Sequence, residues 1–347
     1  MKVAFHSNHL SELGSEVAMF DYAYYNQTLL GNESIIVTKR NIKNNNEKII
    51  EKFKKYFDII FYDNFSEVEK MLDKNNVDVF YAIKSGEYDG ILSKGRKTVI
   101  HAVFKAFQPH GKVYAYVSEW LSKQMNFGLN PWVPHMINLP EENEDLRNIL
   151  SISEDKIVFG RYGGYDTFDV PFVYNSIKRI LDTRNDIYFL FANTKKFYEH
   201  PNIIYLDIIS DMQEKVKFIN TCDAMLHARS RGETFGIACG EFSIKNKPIF
   251  TYGLSPEKNH LEILKDKAIV YNSEQGLYNK INNFIPSPDK NWDAYSQNFN
   301  SSAVMRTRVP MFVACCMRSE ISRMTRSRSA RLRTRSNRRA FWIAVAA

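Results

Sequence analysis

The chain has 347 residues, 44% of them hydrophobic and 14% aromatic, enough to build two domains with substantial cores. Its formal net charge of +8 is concentrated at one end: residues 301–347 hold eleven Arg and a single acid, Glu320, so the rest of the chain is slightly acidic. Residues 1–300 therefore offer no broad basic surface for nucleic acid. No window approaches the 18 apolar residues of a spanning helix, and residues 1–6 do not open a secretory leader. The four cysteines, Cys222, Cys239, Cys315 and Cys316, fit neither a zinc spacing nor a disulfide framework, so a reducing, cytoplasmic setting is expected.

Residues 2–6 read as a buried first strand. Residues 7–14 form a polar loop holding His9 and Gly14; Ser15 is a cap for a helix that Gly31 stops near residue 30. With a second strand at 34–38, this is the opening of a doubly wound domain. The loop lacks Gly-x-Gly-x-x-Gly, so a dinucleotide site is not supported. A polar helix over 41–55 follows, then strands at 58–62, 78–83, 97–103 and 112–118. Helices are expected over 66–73 and from 119. The alternation predicts an α/β fold, with a parallel sheet covered on both faces and a ligand crevice outside the carboxyl ends of its strands. His101 sits at such an end. The first domain spans 1–138.

Residues 139–145 are polar and acidic, a hinge into a second domain over 139–285. A strand at 156–160 is followed by Arg161, Tyr162, Gly163 and Gly164. A glycine pair after a strand presents N–H groups to phosphate, and Arg161 can pair with phosphate bidentately. Residues 170–181 carry an apolar stripe at helical spacing. Strands at 186–192 and 203–206 and a helix at 212–220 lead to a strand at 224–228. That strand enters the stretch Ala-Arg-Ser-Arg-Gly-Glu-Thr-Phe-Gly-Ile-Ala-Cys-Gly-Glu, residues 228–241. Thr234 is a suitable N-cap for a helix whose start is kept slim by Gly236, Ala238, Cys239 and Gly240. The free amides near Phe235, Gly236 and Ile237 and the positive end of the dipole favour a diphosphate. Glu233 and Glu241 lie eight positions apart, about 12 Å along a helix, roughly the reach of a nucleotide-sugar from ribose to sugar ring. Strands at 248–252 and 268–271 and helices at 257–265 and 274–284 complete the domain. Trp292, Tyr295 and Phe299 then share one helical face.

The stretch resembles the Glu-x7-Glu signature of retaining glycosyltransferases of the GT-B fold, in particular family 4. Glu233, Phe235, Gly236, Glu241 and Pro248 occupy the positions of that pattern. Val117-Ser118 and Val133-Pro134-His135 resemble landmarks that close the first domain, with His135 and Met136 replacing an asparagine and a glycine. The resemblance implies two Rossmann-like domains facing across a cleft, with residues 286–300 a helix crossing back to the first. It implies a nucleotide-sugar donor and a glycan or other hydroxyl acceptor. Glu241 would hold the ribose. Arg161, Gly163, Gly164, Phe235, Gly236 and Ile237 would hold the diphosphate. Glu233 and His101 would serve the donor sugar, and the Gly14 loop would meet donor or acceptor. A lysine usual in the family falls on residues 166–169, where none occurs, so Arg229 or Arg231 is the candidate replacement. No Asp-x-Asp is present, so neither an essential metal nor a separate cofactor is expected.

From residue 301 the composition shifts from Lys, Asn and Ile to Arg, Ser, Met and Ala, with no sustained period, and residues 301–347 read as a disordered tail. A frameshift or read-through would give such a switch. Two rivals to the transferase reading remain: a nucleotide-sugar epimerase on the same fold, and a non-enzymatic protein that binds RNA or membrane through the basic tail.

Overall fold

The computed structural model of the protein describes residues 1–11, 13–287 and 289–308. Strands β1 (Lys2–Ser7), β2 (Glu33–Lys39), β3 (Asp58–Tyr62), β4 (Val79–Lys84), β5 (Lys97–Ala102) and β6 (Val113–Tyr116) form one parallel sheet in the order β3-β2-β1-β4-β5-β6. The later strands are β7 (Ile157–Tyr162), β8 (Ile187–Ala192), β9 (Ile203–Leu206), β10 (Ala224–His227), β11 (Gly232–Glu233), β12 (Ile249–Tyr252), β13 (Glu257–Lys258) and β14 (Ala268–Tyr271). Six of them build a second parallel sheet, β14-β12-β10-β7-β8-β9, while β11 pairs only with β13. The strands read as short runs of β-branched and aromatic residues. In β8, Ile-Tyr-Phe-Leu-Phe-Ala, only Tyr188 is not buried, as expected of a sheet covered on both faces. Each sheet reverses its order once, at β1/β4 and at β7/β10, and a ligand crevice forms beside such a switch point.

The helices are α1 (Gly14–Thr28), α2 (Glu47–Lys54), α3 (Val68–Lys74), α4 (Glu119–Asn126), α5 (Pro171–Leu181), α6 (Met212–Thr221), α7 (Ile237–Ile244), α8 (Asn259–Leu264), α9 (Glu274–Asn282), α10 (Ser296–Phe299) and α11 (Ser301–Ala303). Several starts differ from the sequence reading for a local reason. Ser15 does not cap α1; its hydroxyl donates to the Glu16 carboxylate inside the helix. Helix α2 begins at 47 rather than 41. Asn46 accepts from the Lys48 amide as its cap, and Asn45 ties the preceding loop to Lys39, Arg40 and Leu10. Helix α8 starts only at Asn259 because Glu257 and Lys258 are paired with Gly232 and Glu233.

The larger core runs from the first sheet across the domain boundary onto one face of the second, and a smaller core covers the other face. The segment over 286–300 is not a single helix. Trp292 is held outside the helix by Asn246 and Ser243, and helical turns begin only after Asp293 accepts from the Tyr295 and Ser296 amides. The chain still returns to the first domain, where the Ile137 amide donates to the Phe299 carbonyl at 2.7 Å. The tail boundary at 301 is corrected as well. Asn300 caps α11, a π-helical turn spans Val304–Arg308, and Val304 and Met305 are buried in the larger core. The basic stretch from 309 onward lies outside the described residues. Among the described residues no helix is long and apolar enough to cross a membrane.

Candidate active site

A cavity of about 520 Å³ opens between the carboxyl ends of the two sheets. The first domain lines it with His9, Leu13, Gly14 and Ser15 around the start of α1, with Val103 and Phe104 after β5, and with His135. The second domain lines it with Arg161 and Tyr162 at the end of β7, Gly163 and Gly164 after it, Asn193 after β8, Ile208, Ile209 and Lys215 around the start of α6, and His227 to Arg229 and Glu233 to Ala238, with Glu241 beyond. Of the residues that the sequence assigned to the site, Gly14, Arg161, Gly163, Gly164, Glu233, Phe235, Gly236, Ile237 and Glu241 all meet on this surface.

His101 does not meet them. It is fully buried at the end of β5, with the Tyr81 hydroxyl 2.9 Å from Nδ1. Burial lowers its pKa to about 4. Its neighbour His135 does line the cavity, with its ring 5.6 Å from that of His101 and edge-on to Phe235. Burial, with the neighbouring His101, holds His135 well below the usual imidazole range. Its Nδ1 is buried without a partner, so the ring's proton belongs on the other nitrogen, where it does not strand a donor.

Glu233 sits on β11, held there by the ladder to β13. Its Oε2 accepts from the Arg229 guanidinium at 2.8 Å, and its Oε1 lies 3.3 Å from His227 Nε2. Burial alone would raise its pKa, but the His227 hydrogen bond and the Arg229 charge outweigh burial and hold it at about 2. Glu233 is therefore an ionised carboxylate on the wall of the cavity, its side chain one-fifth exposed (20%). Behind it, His227 Nδ1 lies 2.8 Å from the Thr251 hydroxyl, which is also 2.9 Å from His260 Nε2.

Glu241, on the second turn of α7, is almost enclosed. The Tyr162 hydroxyl donates to Oε2 at 2.6 Å and Lys215 Nζ to Oε1 at 3.0 Å, with the two charged side chains only 4% and 12% exposed. Lys215 comes from α6, and no lysine stands in the loop after β7. Arg231 instead pairs with Glu257 and lies over the Phe104 ring, 5.0 Å from its centroid.

Arg161 lies within β7 and is buried. Nη1 donates to the Asn193 carbonyl and the Thr194 hydroxyl, and Nη2 donates to the Gly164 carbonyl and the Thr167 hydroxyl. Burial lowers its pKa to about 10, which leaves it charged at neutral pH. Its terminal donors shape the Gly163–Gly164 loop, and its contribution to an anion in this arrangement is charge rather than a free bidentate fork.

The start of α7 is built differently from the sequence reading. Thr234 is not its cap: the threonine hydroxyl crosses to the first domain and donates to the Val103 carbonyl at 2.8 Å. The cap is Gly236, at φ +89°, a conformation that favours glycine. Gly240 serves packing, since a Cβ there would lie 2.7 Å from the Ile137 side chain. The Ile237 and Ala238 positions at the α7 start still face the cavity, where unpaired amides and the positive dipole end favour an anion. Among the described residues, no group of three His, Cys, Asp or Glu side chains converges as a metal site.

No protein-family model and no curated protein matches this sequence. Solved structures do match. HepE from Anabaena in complex with UDP-glucose superposes with a TM-score of 0.70 at 13% identity, covering 90% of this chain and 100% of that one. A glycosyltransferase from Rickettsia africae gives 0.68 at 13% identity, over 91% and 98%. MnaA from S. aureus, solved with UDP, gives 0.57 at 11% identity, over 88% and 94%. The fold is GT-B. In this GT-B chain the cavity occupies the cleft between the two Rossmann-like domains, with the loops after β1 and β5 on one side and the ends of β7 and β10 on the other.

His227, His260, Thr251 and Lys215 were not found from the sequence. His227 carries a signal that was overlooked, its place at the carboxyl end of a strand six residues before Glu233. His260 and Thr251 meet it only through β12 and α8, and Lys215 reaches Glu241 from another helix.

Proposed function

We propose that the protein is a glycosyltransferase that moves a sugar from a nucleotide-diphosphate donor to a hydroxyl of a glycan or other acceptor, with retention at the anomeric carbon. The observation that carries this reading is the pairing, in one interdomain cavity, of an ionised Glu233 with the α7 N-terminus and the Gly163–Gly164 loop. The fold shared with HepE, which was solved holding UDP-glucose, supports it.

In this reading the nucleotide lies against the second domain, its ribose hydroxyls donating to Glu241. As the bond from the anomeric carbon to the diphosphate breaks, negative charge grows on the leaving oxygen. The α7 amides, the Gly163–Gly164 backbone and the fixed charges of Arg161 and Arg229 oppose it without reorganising, which is the arrangement that lowers a barrier. Positive charge grows on the anomeric carbon, and Glu233 faces it. The acceptor oxygen bonds to that carbon on the face the diphosphate leaves. Its proton is then beside the departing oxygen, which can take it. No divalent metal is assigned a step, so a chelator is expected to leave turnover unchanged.

The test is calorimetric titration with UDP-, GDP- and ADP-sugars, followed by product analysis with and without an acceptor. Binding of one nucleotide-sugar and acceptor-dependent release of the nucleotide diphosphate are expected. Acceptor-free conversion to an isomeric donor sugar would favour the epimerase reading, for which MnaA is the structural parallel. Binding of none of the three classes would end the nucleotide-sugar reading.

A further inference from the structure

Behind Glu233 lies a buried row of polar groups to which the transfer reaction above gives no part: His227, Thr251 and His260, contributed by β10, β12 and α8. We infer that Thr251 and His260 are positioning residues that fix the His227 ring with its proton on Nε2, so that His227 donates to Glu233 and sets the carboxylate's orientation. The consequence for transfer rests on the role proposed for Glu233; the proton placement does not.

The argument is an accounting of protons. His260 Nδ1 is fully buried with no hydrogen-bond partner. A proton there would strand a donor, at about 1–3 kcal/mol, and buried orphan N–H groups are rarer in native proteins than under-satisfied acceptors. Burial, reinforced by His227, lowers the His260 pKa to about 3, so the ring carries one proton at neutral pH. That proton is on Nε2, 2.9 Å from the Thr251 hydroxyl, and is donated to it. A hydroxyl has one proton of its own. With its oxygen accepting from His260, it donates to His227 Nδ1, 2.8 Å away. His227 Nδ1 is then a bare acceptor, and the ring proton stands on Nε2, 3.3 Å from Glu233 Oε1.

The carboxylate side agrees. Glu233 already accepts from Arg229 and is ionised, so it can only accept from His227. The opposite polarity would require protons on both His227 nitrogens and an N–H on the unpartnered His260 Nδ1. The row is rigidly mounted: the two rings lie 4.9 Å apart, and the Tyr271 hydroxyl donates to the His227 carbonyl at 2.9 Å. A neutral ring whose far nitrogen is held by a hydroxyl keeps one tautomer and one ring orientation.

The experiment uses the full chain labelled with 15N-histidine, with the His227 signals assigned by their loss in His227→Gln. At neutral pH the wild type should show a bare Nδ1 and a protonated Nε2 on His227. Thr251→Val keeps the shape and removes the hydroxyl; on a Glu233→Gln background, whose amide can serve either tautomer, the His227 ring should then populate both, and Thr251→Ser on that background should keep the single one. With UDP-glucose as the donor probe, Thr251→Val should lower kcat about tenfold, the worth of about one hydrogen bond, with little change in KM, and Thr251→Ser should recover it. A wild-type His227 with its proton on Nδ1, or protonated on both nitrogens, overturns the inference, and that measurement needs no variant to fold. So does a Glu233→Gln, Thr251→Val protein with an unchanged tautomer. If the tautomer result holds but no nucleotide-sugar is bound, the positioning network stands and the transferase reading is what fails.

Discussion

The second sheet meets the cleft with Arg161, Lys215, Arg229, Glu233 and Glu241, whereas the first meets it with His9, Leu13, Gly14, Ser15, Val103, Phe104 and His135. On the second wall the charges are met within the second domain: Arg229 on Glu233, Lys215 on Glu241, Arg161 on carbonyls and threonine hydroxyls. On the first wall, Glu16 behind the β1–α1 loop accepts from Ser7, Ser11 and Ser15 and is kept out of the cavity, while His135 meets it as a neutral ring. A wall of preset charges stabilises charge that develops during a reaction, because its dipoles need not turn. A wall of neutral and slim groups admits and shapes a substrate without competing for that charge.

The largest effect should come from removing the charge nearest the reacting carbon. Glu233→Gln is expected to lower kcat about 100-fold, the scale of losing one preset electrostatic group, with KM nearly unchanged; steady-state kinetics with the identified donor measures it. A loss confined to KM would make Glu233 a simple binding residue. The same variant has a pH signature. The Glu233 pKa is depressed from 4.5 to about 2, so its contribution to stability is full above about pH 4.5 and lost as pH falls toward about 2. Denaturant midpoints across that range should fall more steeply for the wild type than for Glu233→Gln.

Glu241 is the contrasting charge, since it is matched by Lys215 and sits far from the anomeric carbon in the proposed pose. Glu241→Gln should raise KM for the donor about tenfold, as expected for a hydrogen bond to a charged group, while kcat holds. It also leaves Lys215 without its counter-charge, so the thermal midpoint should drop. Replacing Lys215 by Met in the same protein should recover part of that drop, because an apolar side chain tolerates the site better than an unpaired ammonium.

On the neutral wall the effects should be smaller. His135→Ala removes a neutral ring from the first wall and should weaken donor binding about threefold to tenfold by calorimetry, the worth of a neutral hydrogen bond. Gly14→Ala should cost at most about twofold in either constant, because the added Cβ would rest 3.4 Å from Ile237 Cδ1, an ordinary contact. Should Gly14→Ala instead equal Glu241→Gln in its cost, the first wall is as finely fitted as the second and the contrast between them fails.

Much of the site was legible because its residues lie at strand ends, and strand ends are legible. Arg161 ends, and Gly163, Gly164, Glu233, Phe235, Gly236, Ile237 and Glu241 follow, strands that announce themselves as apolar runs closed by polar or glycine-rich stretches. His101 was misplaced by the same reasoning. It is the last but one residue of β5, and side chains alternate between faces along a strand, so a position at the strand end does not say whether a ring turns to the cleft or to the core. Thr234 looked like a helix cap because threonine before an apolar run usually is one. What the sequence did not contain was the Val103 carbonyl, 131 residues away, waiting for that hydroxyl. Trp292 was read into a helix on spacing alone, and the side chains of Asn246 and Ser243 hold it out of one.

By itself the sequence determined the two Rossmann-like sheets, their strand content and the glutamate-bearing stretch between β10 and α7, because these depend on local pattern: apolar period, glycine, caps and the spacing of two acids. The tertiary structure alone decided which charge each acid would meet. Glu233 is ionised by Arg229 and His227, sequence neighbours that the turn from β10 into β11 brings back onto it, and Glu241 is matched by Lys215 and Tyr162 because α6 and β7, distant in sequence, converge on α7. Electrostatics depends on distance and burial, which a linear pattern does not carry. The same holds for the end of the fold, where Val304 and Met305 are core residues only because α1 and its neighbours give them a surface to cover.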